Sequence, residues 1–122
     1  MVNPPQARHL VAAIEGARDD STDDRLAFVC GERGFAWSFM QRDAAKKPRR
    51  PNLAVLAISC SLEQKEFLIE AAPHIYFDDD HYRGYPAVLT RLAVIDAAEL
   101  MERLQAAFAF QAARPPKKPR KR

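Results

Sequence analysis

The chain reads as an α+β domain, a two-layer sandwich in which helices pack on an antiparallel sheet. Three observations predict it. Residues 26–30 and 35–40 are two β-rich runs joined by Gly31-Glu-Arg-Gly34, the pattern of a hairpin. Residues 53–60 are apolar on both faces, as a central strand requires. Two later segments open with a cap residue followed three positions on by Gln or Glu, at Ser61/Gln64 and Asp96/Glu99, and continue with helical apolar spacing.

The elements follow in order. Asn3 before Pro4 and Pro5 is a helix start, and Leu10, Val11 and Ile14 form a stripe that ends near Gly16. Residues 17–25 are polar and read as a loop. Its Asp19, Asp20, Asp23 and Asp24 lack the alternating ligands and central glycine of a calcium loop, so solvated carboxylates are expected. In the second hairpin strand, Phe35, Trp37 and Phe39 alternate with Ala36, Ser38 and Met40. Strict alternation puts the three rings in one row, read as core against a helix. The alternative is a stacking platform for single-stranded nucleic acid, since basic residues follow directly.

Residues 41–52 carry Arg42, Lys46, Lys47, Arg49 and Arg50 against one acid, Asp43, with nothing apolar larger than alanine. They form a solvated wing between antiparallel strands. After the central strand, the Ser61 helix buries Leu62, Leu68, Ile69 and Ala72, and Pro73 stops it. Residues 88–95 are the last strand, and the Asp96 helix, with Leu100, Met101, Leu104, Ala107, Phe108 and Gln111, covers the sheet. Residues 1–113 make one domain. Residues 114–122, with three prolines and six cations, read as a disordered basic tail.

Three stretches together carry a resemblance. They are residues 53–61, Leu-Ala-Val-Leu-Ala-Ile-Ser-Cys-Ser; residues 72–77, Ala-Pro-His-Ile-Tyr-Phe; and residues 81–89, His-Tyr-Arg-Gly-Tyr-Pro-Ala-Val-Leu. In this order and spacing they resemble the MmcQ/YjbR family of small bacterial proteins, over roughly residues 26–112. The resemblance implies a CyaY-like fold and DNA binding. It brings no catalytic residues, and the wing cations and the tail lie outside its motifs.

Charge locates the expected contacts. The net charge is +3, but the tail holds six cations, which leaves residues 1–113 at −3. Removing the wing's +4 leaves the remainder at −7. Basic charge is therefore local rather than spread over a face. The nucleic-acid-binding residues expected are Arg42, Lys46, Lys47, Arg49 and Arg50 of the wing, Tyr82, Arg83 and Tyr85 of the aromatic turn, and Lys117, Lys118 and Arg120 of the tail.

Other classes find less support. No Gly-rich phosphate loop is present, no nucleophile sits in a recognisable setting, and His9, His74 and His81 are scattered. A non-enzymatic protein without cofactor follows. Cys30 and Cys60 form no metal or redox motif and read as buried thiols. Asp78-Asp-Asp-His81 projects its side chains in different directions and is not read as a metal site. With neither a signal peptide nor an apolar run near ~20 residues, a cytoplasmic protein with no membrane partner is expected; its oligomeric state is left open by the sequence, with a monomer favoured. DNA is the expected partner, the alternative being a module for a protein segment or small ligand.

Overall fold

The computed structural model describes residues 1–44 and 46–115. It contains, in chain order, α1 (Pro4–Ala12), β1 (Ala17–Asp19), β2 (Ala27–Cys30), β3 (Arg33–Gln41), β4 (Arg50–Ser59), α2 (Leu62–Ala71), β5 (Tyr76–Phe77), β6 (Ala87–Arg91) and α3 (Ala97–Ala112). The six strands form one sheet in the order β1-β2-β3-β4-β6-β5, and every pair is antiparallel. The α+β class follows directly, with β4 central and helices packed on the sheet.

Caps set the helix starts. Asn3 accepts from the Gln6 amide while Gln6 Oε1 accepts from the Asn3 amide, a closed capping box. Ser61 and Asp96 accept from the Gln64 and Glu99 amides. At Asp96 the reciprocal half is diverted: the Glu99 carboxylate takes the Tyr76 hydroxyl at 2.5 Å instead. The side chain thereby ties α3 to β5.

Ala7 and Val11 of α1, Leu68 of α2, and Leu100, Leu104 and Ala107 of α3 bury one sheet face with Phe28, Phe35, Leu56, Ile58 and Val88. The opposite face carries a second cluster, Ala57, Ala87 and Leu89 with Trp37, Phe39, Val55 and Phe77. Residues 78–86 fold back over that face and insert Tyr82 into it.

Several elements differ from the sequence reading. Residues 17–19, read as loop, pair with β2 as an edge strand, and two of the acids there are engaged, Asp19 by Arg8 and Asp20 by Arg18. The β2–β3 connection shrinks to Gly31 and Glu32, with Cys30 opposite Arg33. Gly31 has φ 62°, the conformation a two-residue turn with a leading glycine demands. The last strand ends at Arg91 rather than 95, because the Arg91 carbonyl accepts from the Val94 and Ile95 amides and closes a turn. Leu62, expected inside, is exposed, as is Phe67 on the same helix.

The aromatic row departs furthest from regular alternation. Phe28 pairs with Ala36 but Val29 pairs with Gly34, so Phe35 is an extra residue, a β-bulge. Phe35 and Ala36 consequently both join the helix-side core, while Trp37 and Phe39 face the opposite side. Alternation alone could not show this, since one inserted residue reverses the face of everything before it.

Cys60 is half-buried just past β4, and burial pushes its thiol up to about 11. About one thiol in a thousand is then ionised at pH 8. Iodoacetamide at that pH is expected to label Cys60 far more slowly in the native protein than in urea. Folding favours the neutral thiol, so its contribution to stability is complete below about pH 8.5 and fades as pH rises toward 11. Equal labelling rates in both states would show the thiol to be open to solvent.

Candidate nucleic-acid interface

The wing is anchored at its neck. Gln41 pairs with Arg50 across the hairpin. Asn52 Nδ2 donates to Gln41 Oε1 at 2.7 Å, Gln41 Nε2 donates to Asp43, and Arg50 Nε holds the same carboxylate at 2.8 Å. The hydrogen bonds from Arg50, then Gln41, keep the Asp43 carboxyl below the usual carboxylate range. Arg49 donates to the Met40 carbonyl at 3.1 Å. These bonds aim the loop without enclosing its tip, where Lys46 and Lys47 are exposed, as is Arg42. The charge of Arg50 is largely answered by Asp43, so the wing's outward cations are fewer than its composition suggests.

Residues 78–86 are held in place by a lysine that nothing in its local sequence marks out. Lys65 projects from α2 with a side chain 5% exposed. Its Nζ donates to the Tyr82 carbonyl at 2.6 Å and the Tyr85 carbonyl at 3.1 Å, and pairs with Asp78 at 3.0 Å. Asp79 Oδ1 accepts from the Tyr82 amide and Asp80 pairs with Arg83 at 2.7 Å. The three consecutive carboxylates thus serve three different donors. Gly84 has φ 75°, which completes the turn.

The turn's aromatics then divide. Tyr82, expected as a surface contact, is 6% exposed. Its hydroxyl accepts from Trp37 Nε1 at 2.9 Å and its ring lies 6.0 Å from Phe39. Burial, ahead of its other influences, pushes the phenol up. Packing therefore replaces a role against sugar or base for Tyr82. Tyr85 remains outside, 48% exposed, with its ring at 6.4 Å and 82° to Trp37. Arg83 is exposed beside Asp80. His81 is exposed and meets the Tyr82 ring edge-on.

The result is a strip along β3, roughly 30 Å long for nine residues. At one end stands the wing, whose Arg49 charge acts on the Tyr82 phenol. Phe39, Tyr82, Trp37 and Tyr85 follow, each ring within 6.4 Å of another. At the far end Arg33 and Arg114 flank a groove with Trp37 and Tyr85. Arg33 Nη2 donates to the Pro115 carbonyl at 2.6 Å, so the chain leaves α3 at this spot. The expected tail starts here, and Lys117, Lys118 and Arg120 lie outside the described residues.

Arg33 joins the site without having been expected there, and Trp37 joins it against the favoured reading of its row as core. In the sequence Arg33 belongs to a turn, and regular alternation places Trp37 in the core until the bulge breaks it. Arg91 is a further basic residue on this face, stacked at 4.1 Å over Phe77. Among the described residues no group of three His, Cys, Asp or Glu side chains is placed to hold a metal ion. Among them, too, no helix is long and apolar enough to cross a membrane.

Over 63 residues, 51% of this chain, the sequence is 40% identical to proteins named as uncharacterised from Mycobacterium bovis and from two strains of Mycobacterium tuberculosis. That segment is 49% of each relative, so the chain spans about half the length of the curated relatives it matches. No family model matches the chain, and no solved structure matches it.

Proposed function

We propose that this protein binds DNA without catalysing a reaction, using the wing at one end of β3 and the groove at the other to hold phosphates. The observation that carries this reading is the strip itself, in which cations stand at both ends of a row of aromatic side chains on the sheet face opposite the main helix-side core. Cations position a phosphate backbone, and Tyr85, the exposed ring of the row, offers surface to sugar or base. The likeness to the MmcQ/YjbR family, whose members are described as DNA-binding, supports the same reading. The acidic remainder of the domain confines binding to this face.

Anisotropy of a fluorescein-labelled oligonucleotide titrated with the protein tests it. If ~6 phosphates are neutralised, raising salt from 50 to 200 mM is expected to weaken binding about a thousandfold. Ending the chain at Pro115 removes five cations, and the salt slope flattens by ~0.9 for every phosphate that the shortened chain no longer neutralises. Binding that survives truncation and disappears on changing Lys46 and Lys47 to Gln is the expected result. No binding at 50 mM salt, or binding that resides wholly in residues 116–122, overturns the reading.

A further inference from the structure

The groove at the far end of the strip has features that phosphate binding does not require. It is a cleft of about 450 Å³ lined by Arg33, Gly34, Trp37, Tyr85, Gln111 and Arg114. That volume lies in the range of small-ligand sites, ~300–1,000 Å³. Its floor is low because residue 34 has no side chain: a Cβ there would meet the Trp37 ring at 3.4 Å. Its wall is Tyr85, about half exposed and set edge-on to Trp37. The indole N–H is already taken by Tyr82, so Trp37 offers the groove its ring.

The polar lining is cationic. Arg33 uses one N–H on Pro115 and Arg114 one on Gln111, at 3.3 Å, while a guanidinium carries five. Donors of both remain suited to the oxygens of one phosphate. Gln111 is held at both ends of its amide, by Ser59 and Arg114, and is poorly placed to read a base edge. Stacking without edge reading is sequence-tolerant.

We propose that this groove accepts one unpaired nucleobase against Tyr85 and Trp37, with the adjoining phosphate between Arg33 and Arg114, so that the protein prefers single strands to duplex. The inference rests on the nucleic-acid reading above. In a duplex the bases are paired and stacked on one another, so their faces cannot enter the groove. A single strand supplies ring and phosphate together.

Trp37 is the sole tryptophan of the chain, so its fluorescence reports on the groove itself. The full chain is titrated at 100 mM salt with dT12, with a 12-mer abasic backbone and with a 12-base-pair duplex. The expected result is quenching of Trp37 by dT12 and a preference of about tenfold for dT12 over both controls, the worth of one stacked base. Tyr85→Ala is expected to abolish that preference. An rU12 arm separates sources: tighter binding than dT12 points to RNA, weaker to DNA, and either supports an unpaired base. Equal affinity for dT12, abasic strand and duplex overturns the groove while leaving the phosphate reading intact. Absence of binding to any of the probes overturns the nucleic-acid reading as well.

Discussion

Changing Lys65 to methionine is expected to cost about 3 kcal/mol of stability and to loosen the turn that carries Tyr82 and Tyr85. Methionine matches the length of the lysine stem but donates no hydrogen bond. The variant therefore leaves two carbonyls, those of Tyr82 and Tyr85, and the Asp78 carboxylate without their common donor. Leaving one partner of a buried pair uncompensated costs ~3–5 kcal/mol. Asp78 is 31% exposed and recovers part of that from water, which sets the expectation at the lower end. A urea titration gives the stability change. Trp37 fluorescence follows the turn, because the indole bonds the Tyr82 hydroxyl. A loss below about 1 kcal/mol would mean that water replaces the ammonium with ease, and that Lys65 does not fix the turn.

The aromatic turn is plain in sequence while the fate of its tyrosines is not. Gly84, Pro86 and the run of aspartates mark a turn, and its existence follows from local chemistry. Which tyrosine goes inside is decided by distant partners: Trp37 Nε1 donates to the Tyr82 hydroxyl and Phe39 packs on its ring, while a lysine seventeen residues before Tyr82 holds the carbonyls of both tyrosines. A lysine between Gln64 and Glu66 on an amphipathic helix carries no local sign that it will be buried. The caps at Asn3, Ser61 and Asp96 are legible for the opposite reason: cap and N3 residue lie within one turn of helix, and the apolar stripe follows along the same helix. Edge strand β1 lies beyond reach, because Ala17–Asp19 becomes a strand through pairing with β2 and not through its own composition. The wing's location is plain from its charge, but the neutralisation of Arg50 by Asp43 needs the hairpin register.

The bulge at Phe35 makes a quantitative demand. Phe35 is fully buried on the helix side, 6.3 Å from Phe28 and 5.5 Å from Phe108, the latter edge-on at 89°. Phe35→Ala removes a ring from the main core and breaks both aromatic pairs, at ~4 kcal/mol. A domain with ~5–15 kcal/mol in hand is brought close to unfolding by such a loss. Phe39, further along the same strand, lies on the other face, only partly buried against Tyr82, so Phe39→Ala is expected to cost ~1–2 kcal/mol. Were the three rings a single row against a helix, as regular alternation has it, the two substitutions would cost about the same. Parallel urea titrations decide between these arrangements. Comparable losses would remove the bulge, and with it the separation of Phe35 from the face that carries Trp37 and Tyr85. A large loss at 35 and a small one at 39 means that one inserted residue turned part of an apparently uniform aromatic strand into core and set the rest on the opposite face of the sheet.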